Sequence, residues 1–93
     1  MAVDAFGTEM KPGDLIAFST AGNGYIDVNY VSRVMPKSVE YGDYKYYKTN
    51  SDKCMVISEA KARTFRGNEE AIERAIEGSR KKKEEFGIEL DEE

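Results

Sequence analysis

The sequence predicts a mainly β domain with one C-terminal α-helix, in which five short antiparallel strands close into a small barrel. Two observations carry this prediction. Short runs of strand-forming residues alternate with tight glycine and proline turns across residues 11–58, and a helix-forming composition follows them. A chain of 93 residues has room for one modest core, which is too little for a sandwich of two sheets. We therefore expect a flexible lead-in over residues 1–10, the barrel over 11–58, and a connector, helix and acidic tail over 59–93.

Each strand is bounded by residues that favour turns or interrupt a sheet. Lys11-Pro12-Gly13-Asp14 is a turn signal that leads into the first strand. Pro36 ends the second strand because proline lacks the N–H donor that a ladder requires. Gly42-Asp43 reads as a two-residue turn before the fourth strand, and the polar residues 49–53 precede the fifth. The strands are expected at residues 14–20, 25–35, 38–41, 44–48 and 54–58.

The first two strands are expected to form the hairpin on which the barrel is built. A two-residue loop at Asn23-Gly24 would pair apolar side chains with polar ones. A three-residue loop over 22–24, ending in a glycine bulge, instead places Phe18 opposite Val28 and gathers the apolar residues on one face. We expect the second arrangement. The other face, which carries Leu15, is then half-buried at best.

The turn between the third and fourth strands sets a second register. It places Glu40 opposite Lys45 and Val39 opposite Tyr46, which are a charge pair and an apolar pair. The face that holds Val39 and Tyr46 can build core. This arrangement leaves Tyr47 on the other face with Lys45.

The C-terminal helix is predicted from its caps and its apolar stripe. Asn68 can cap the first turn, and Gly87 stops the helix after about Phe86. The stripe consists of Ala71, Ile72, Ala75 and Ile76. Because no apolar residue continues this stripe beyond Gly78, we expect the first half to pack on the barrel and the second half to project into water.

Composition narrows the classes of function. The chain has no histidine, which excludes histidine acid–base chemistry and most zinc sites. Its single cysteine, Cys54, cannot form an internal disulfide and is expected to be a small core residue, since no base is available to activate it. There is no apolar span or secretory signal. We expect a non-catalytic cytoplasmic chain without metal or cofactor.

The net charge of −4 hides a division along the chain. Residues 11–66 carry nine basic and six acidic side chains, whereas residues 67–93 carry five basic and ten acidic ones. Such asymmetry is typical either of a solvated charged helix or of a tail that shields an interaction surface.

Several segments resemble an SH3-like small barrel. They are the opening Lys11-Pro12-Gly13-Asp14-Leu15-Ile16, the strand Val31-Ser32-Arg33-Val34 with Pro36-Lys37-Ser38-Val39 after it, and the closing Met55-Val56-Ile57. They also look like the small uncharacterised barrel proteins of bacteriophages. The resemblance covers about residues 11–58 and implies a binding scaffold for protein or nucleic acid, although a fold does not fix a function.

Tyrosine is the strongest compositional signal for binding, because all six tyrosines lie in the barrel segment. Tyrosines mixed with cations can stack bases and neutralise phosphates, and tyrosine with arginine is also enriched at protein-binding hot spots. The expected binding residues are Arg33, Lys37, Lys45, Tyr47 and Lys48. Since the chain is net negative, we expect a protein-binding module, such as a phage-encoded modulator of a host protein; a nucleic-acid-associated barrel that uses the lysine and tyrosine face is the alternative.

Overall fold

The computed structural model describes residues 2–19, 25–44, 46–66 and 68–87. The elements in this part of the chain are β1 (Leu15–Ser19), β2 (Ile26–Val34), β3 (Ser38–Tyr41), β4 (Lys48–Asn50), β5 (Cys54–Ile57), α1 (Glu59–Ala62) and α2 (Glu69–Glu85). One turn of 3-10 helix (Ser51–Lys53) joins β4 to β5. The strands form one antiparallel sheet in the order β4-β3-β2-β1-β5. The predicted combination of a five-stranded antiparallel sheet with a long C-terminal helix is confirmed.

The predicted closure of the sheet into a barrel is wrong, because β4 and β5 remain separate edges. The edge of β5 is already occupied. The N–H of Ala5 donates to the carbonyl of Cys54 at 2.9 Å, and the N–H of Val56 donates to the carboxylate of Asp4 at 2.9 Å. Since these ladder groups of β5 bond to the N-terminal segment, they are not free to pair with β4.

The N-terminal segment is therefore packed on the sheet, where the sequence predicts a flexible lead-in. The carboxylate of Asp4 is buried and also accepts the N–H groups of Phe6 at 2.9 Å and Thr8 at 2.8 Å. Burial alone raises the pKa of Asp4, but the N–H donors of Val56, Thr8, Phe6 and Gly7 together lower it below its ordinary value. Asp4 thus holds this segment against β5 as an ionised group.

The register between β1 and β2 differs by one residue from the predicted one. Leu15 lies opposite Tyr30, and Phe18 lies opposite Asp27 rather than Val28. A slip of one residue exchanges the two faces of a strand. Here both faces are buried, since Leu15 is 1% exposed and Phe18 is 4% exposed. The predicted half-buried second face is therefore wrong, and the glycine loop over residues 20–24 lies outside the described residues.

Each face of the sheet has its own apolar cluster. Beneath α2 lie Leu15, Ala17, Tyr30, Ile57, Ala62, Ile72, Ala75 and Ile76. On the opposite face lie Ala2, Met10, Ile16, Phe18, Val31, Val39 and Cys54. The second cluster joins side chains of four strands, β1, β2, β3 and β5, on one side of the sheet.

The helix α2 begins as predicted, because the side-chain oxygen of Asn68 accepts the N–H of Ala71 at 3.2 Å. The prediction that its second half projects into water is wrong. The hydroxyl of Ser79 is buried and donates to the carbonyl of Gly13 at 2.5 Å, and the side chain of Lys83 is buried beside the same glycine. The second half of the helix therefore packs on the turn before β1, well beyond the apolar stripe.

An ion pair between a buried carboxylate and a half-exposed guanidinium connects α1 to α2. The side chain of Glu59 is 2% exposed, and its carboxylate accepts both Nε of Arg80, at 2.8 Å, and Nη2, at 2.5 Å. Arg63 lies 3.9 Å from the same carboxylate. The hydrogen bonds from Arg80 lower the pKa of Glu59 most, burial opposes them, and the charges of Arg80, Arg63 and Lys83 add to the lowering. This pair fixes α2 against the chain that leaves β5.

The observed register makes a prediction about stability. Leu15→Ala should lower the free energy of unfolding by about 2–5 kcal/mol, in the same range as Phe18→Ala, because each removes a fully buried side chain. Urea melts of both variants measure the two losses. Ile26→Ala, at an exposed position of β2, is the control and should cost about 1 kcal/mol or less. A Leu15→Ala variant as stable as this control would contradict the two-faced core.

The pair of Glu59 and Arg80 predicts a dependence of stability on pH. The folded pKa of Glu59 lies below its ordinary value of 4.5, so its contribution is complete above that pH and is lost as the pH falls through the folded pKa. Wild-type stability should therefore fall on acidification below about pH 4.5 more steeply than that of Glu59→Gln, which has no proton to gain. Urea melts across this range give both slopes. Equal slopes would show that Glu59 is not preferentially ionised in the folded protein.

Candidate functional site

The connection between β3 and β4 is longer than the two-residue turn that the sequence predicts. Glu40 lies opposite Lys48 and Val39 lies opposite Thr49, so residues 42–47 form the connection and β4 begins four residues later than expected. Gly42 has a φ of +71°, a left-handed conformation that favours glycine. Lys45, which the sequence predicts opposite Glu40, lies outside the described residues.

Tyr30 of β2 fixes the position of this connection. Its hydroxyl donates a short hydrogen bond to the carboxylate of Asp43, and its carbonyl accepts the N–H of Gly42 at 3.0 Å. On the other side, the ring of Tyr30 lies against Gly78. A Cβ added to that glycine would lie 2.3 Å from Cε1 of the ring. Burial raises the pKa of Tyr30 most, and the bond to Asp43 and the charges of Asp43 and Glu85 raise it further. The tyrosine is therefore a neutral donor to Asp43.

The tyrosines of the connection pack on one another as a chain of rings. Tyr41 contacts Phe18 with 4.5 Å between ring centroids, and Tyr47 stacks on Tyr41 at 5.5 Å. Tyr44 then meets the edges of Tyr47 at 4.9 Å and of Tyr46 at 5.2 Å. The chain of rings runs from the core into solvent. We call its outer members, Tyr44, Tyr46 and Tyr47, the tyrosine surface; they are 51%, 65% and 49% exposed.

The predicted roles of Tyr46 and Tyr47 are reversed. Tyr46 is expected in the core, yet it is the most exposed of the three. Tyr47 is expected to face away from the core with Lys45, yet it stacks on Tyr41, which packs on the buried Phe18. The cause is the late start of β4, because strand alternation does not govern side chains in the connection before it.

A groove of about 290 Å³ lies beside Tyr41, the ring on which Tyr47 stacks. It is lined by Phe18 and Ser19 of β1, Tyr41 of β3, residues 48–50 of β4, and Lys53 of the 3-10 turn. Two strands separate β1 from β4 in the order of the sheet. Their meeting in one groove shows that the curled sheet brings them close without pairing them. We call this groove the seam groove.

Three charged side chains form a row across the sheet on the face opposite Val39. Arg33 of β2 lies opposite Glu40 of β3, which lies opposite Lys48 of β4. The guanidinium of Arg33 is 3.8 Å from the carboxylate of Glu40. Directly opposite residues share a face, so the row alternates positive, negative and positive up to the open edge.

The remaining residues of the expected site are placed as follows. Lys37 is exposed in the turn between β2 and β3, where its carbonyl accepts the N–H of Ser51 at 3.0 Å. Tyr47 lies next to Lys48 in the chain but extends the opposite face of β4. The structure thus brings Arg33 and Lys48 into one row and separates Tyr47 from them. Lys45 cannot be placed in either group.

The sequence reasoning missed the contribution of Tyr44 and Tyr46 to an exposed surface. A signal for it exists, since four tyrosines fall between residues 41 and 47 and a single half-buried strand could cover only alternate ones. Cys54 lies in the core as expected, and its thiol donates to the carbonyl of Asn50 at 3.5 Å. Burial, followed by the charges of Asp4 and Asp52, raises the pKa of this thiol to about 11.

Comparison with known proteins found no family model, curated protein or solved structure that matches the chain. Among the described residues, no helix combines the length and the apolar character needed to cross a membrane.

The bond between Tyr30 and Asp43 predicts an effect on the site. Tyr30→Phe keeps the ring against Gly78 but removes the donor, and should lower the free energy of unfolding by about 1 kcal/mol. It should also shift the amide resonances of Gly42 and Asp43, measured by NMR. Tyr44→Phe, which removes a hydroxyl from an exposed ring, is the control and should change neither quantity. Matching results for the two variants would show that the hydroxyl of Tyr30 does not hold the connection.

Proposed function

We propose that this chain is a small non-catalytic protein-binding module that contacts its partner through the tyrosine surface. One observation carries the proposal: three tyrosines pack edge to face on one another while each keeps about half or more of its surface in solvent. Their mutual contacts restrict the rings before any partner binds, so that little side-chain entropy is lost on binding. Rigid tyrosine clusters are a composition enriched at binding hot spots.

The way in which the surface is held supports the same proposal. The connection that carries it is joined to β2 by the bonds of Tyr30, and β2 is covered by α2. Binding groups on a loop that a rigid scaffold positions are the usual arrangement in recognition modules. The rings of Tyr44, Tyr46 and Tyr47 contact one another and still leave about half or more of their surface accessible to a partner.

We also propose that the scaffold is an opened form of an SH3-like sheet. The support is the antiparallel order β4-β3-β2-β1-β5 and the curl that brings β1 and β4 to one groove. This proposal concerns architecture alone, since one fold serves many functions.

Nucleic-acid binding is the second candidate, and the position of two lysines favours it. Lys48 and Lys53 line the seam groove beside Tyr41, so cations and an aromatic ring lie close together. The net charge of −4 weighs against it, because every phosphate that is neutralised requires a cation. Protein binding is therefore the function that the arrangement supports better.

A capture experiment tests the proposal. The immobilised protein is incubated with a bacterial lysate, the host expected from the resemblance to bacteriophage proteins. Tyr46→Ala should reduce capture of the bound protein about tenfold or more, because it truncates the most exposed ring of the cluster. Tyr25→Ala, which removes an exposed tyrosine outside the cluster, is the matched control and should leave capture unchanged.

Two outcomes would contradict protein binding through this surface. One is capture by Tyr46→Ala at the level of the wild type. The other is tight binding of labelled oligonucleotides that weakens with salt at a slope of about −0.7 per phosphate contacted, which would favour the nucleic-acid candidate. A protein partner held by the tyrosines should show a shallow dependence on salt.

A further inference from the structure

The open edge of β4 carries the further inference, which rests on the proposed protein-binding function. The N–H of Tyr41 donates to the carbonyl of Tyr47 at 3.0 Å, which puts these residues at a hydrogen-bonded position of the ladder, and the N–H of Tyr47 donates to the carbonyl of Tyr44 instead. Hydrogen-bonded and non-hydrogen-bonded pairs alternate along an antiparallel ladder. The next pair, Glu40 and Lys48, is therefore non-hydrogen-bonded, and the N–H and C=O of Lys48 point away from β3 towards the open edge.

The two edges of the sheet differ in what covers them. The edge of β5 bonds to the N-terminal segment through Cys54 and Val56. The edge of β4 borders the seam groove, whose lining includes residues 48–50. The carbonyl of Asn50 accepts the thiol of Cys54, so the backbone groups that an added strand would meet are those of Lys48. An extended segment in this position can bond to the backbone of β4 and lay alternate side chains into the groove. A nucleic acid has no peptide groups with which to form such a ladder.

The charges at the edge of β4 indicate which charge an added segment should carry. Across the sheet, the row of Arg33, Glu40 and Lys48 alternates in sign and ends on a cation. Within the described residues, neither Lys48 nor Lys53 forms an ion pair. A residue placed opposite Lys48 by an added strand would continue the row, and a carboxylate there forms a favourable cross-strand pair.

The lining of the seam groove determines which side chains fit at the neighbouring positions of the added segment. Residues on either side of the one opposite Lys48 would face the same way as Tyr47 and Thr49. On that side the groove is lined by the rings of Phe18 and Tyr41. Apolar side chains are therefore suited to these positions.

We propose that β4 receives an extended segment of a partner protein, added antiparallel to it, in which apolar and acidic residues alternate and one carboxylate lies opposite Lys48. The tyrosine surface borders the same edge and contacts the rest of the partner. Because β4 has only three residues, an added strand forms few backbone hydrogen bonds with it. The added strand therefore contributes mainly specificity, and the tyrosine surface contributes more of the affinity.

Synthetic peptides test the added strand directly. The probe is a short fluorescein-labelled peptide in which valine and glutamate alternate, with binding followed by anisotropy and by amide shifts of the protein. It should shift the amides of Lys48, Thr49 and Asn50. Lys48→Glu should weaken its binding about tenfold, since an attraction becomes a repulsion. Lys11→Glu makes the same charge change at the far end of β1 and should leave binding unchanged.

Two N-methylated peptides distinguish strand addition from simple charge attraction. The residue opposite Lys48 directs its own N–H towards β4, so methylation of the glutamate nitrogens should abolish binding. Methylation of the valine nitrogens, on the far edge of the peptide, should not. A peptide with lysine in place of glutamate should not bind either.

The proposal is overturned if both methylated peptides bind equally, if Lys48→Glu behaves as Lys11→Glu does, or if an oligothymidylate displaces the peptide from β4. Its failure differs from failure of the proposed function. Partner capture that depends on Tyr46 but is indifferent to Lys48→Glu would reject the added strand and retain the tyrosine surface. Capture that is indifferent to Tyr46 would reject the function itself.

Discussion

The contact between Tyr30 and Gly78 is the constraint on which the arrangement of this domain depends. The ring of Tyr30 can lie under α2 only because Gly78 has no side chain, since a Cβ there would approach the ring to 2.3 Å. Glycine inside a helix costs about 1 kcal/mol relative to alanine. Burial of an aromatic ring exceeds that cost. The same side chain ends in the hydroxyl that donates to Asp43. Tyr30 therefore sets both the distance between α2 and the sheet and the position of the tyrosine surface.

The asymmetry of the sheet edges follows from a second polar group, Asp4. Its carboxylate bonds to β5 and to two N–H groups of its own segment, which makes the N-terminal residues a cover for that edge. With β5 covered, the sheet has no strand with which β4 could close a barrel. An unpaired edge is a liability for aggregation unless it is short, and β4 has three residues.

The sequence predicts those features that depend on local signals. Four strands lie within a residue or two of their expected bounds. Asn68 caps the long helix, as predicted from the hydrogen-bonding capacity of its side chain. The register of β1 could not be predicted in this way, because residues 15–18 are apolar at every position and fit either face. A strand covered on both sides loses the alternation that would distinguish its faces.

The candidate site was predictable in composition but not in arrangement. Tyr47 and Lys48, which the sequence predicts as binding residues, lie on opposite faces of β4. The tyrosines between residues 41 and 47 have high strand propensity, which predicts an early fourth strand. Contacts among their rings and the bond of Asp43 to Tyr30 instead stabilise a longer connection. The bond between Asp43 and Tyr30 joins two different parts of the chain, and no pattern within the connection encodes it.

The most direct measurement of the central constraint is a double-mutant cycle between positions 30 and 78, with stability measured in urea. Gly78→Ala in the wild type should destabilise the fold by about 1–3 kcal/mol, because the added methyl group overlaps the ring of Tyr30. In a Tyr30→Val background the overlap is removed, so the same substitution should stabilise the fold by up to about 1 kcal/mol through helix propensity. This change of sign is the predicted result. Gly78→Ala that stabilises both backgrounds equally would show that the ring does not lie against this glycine.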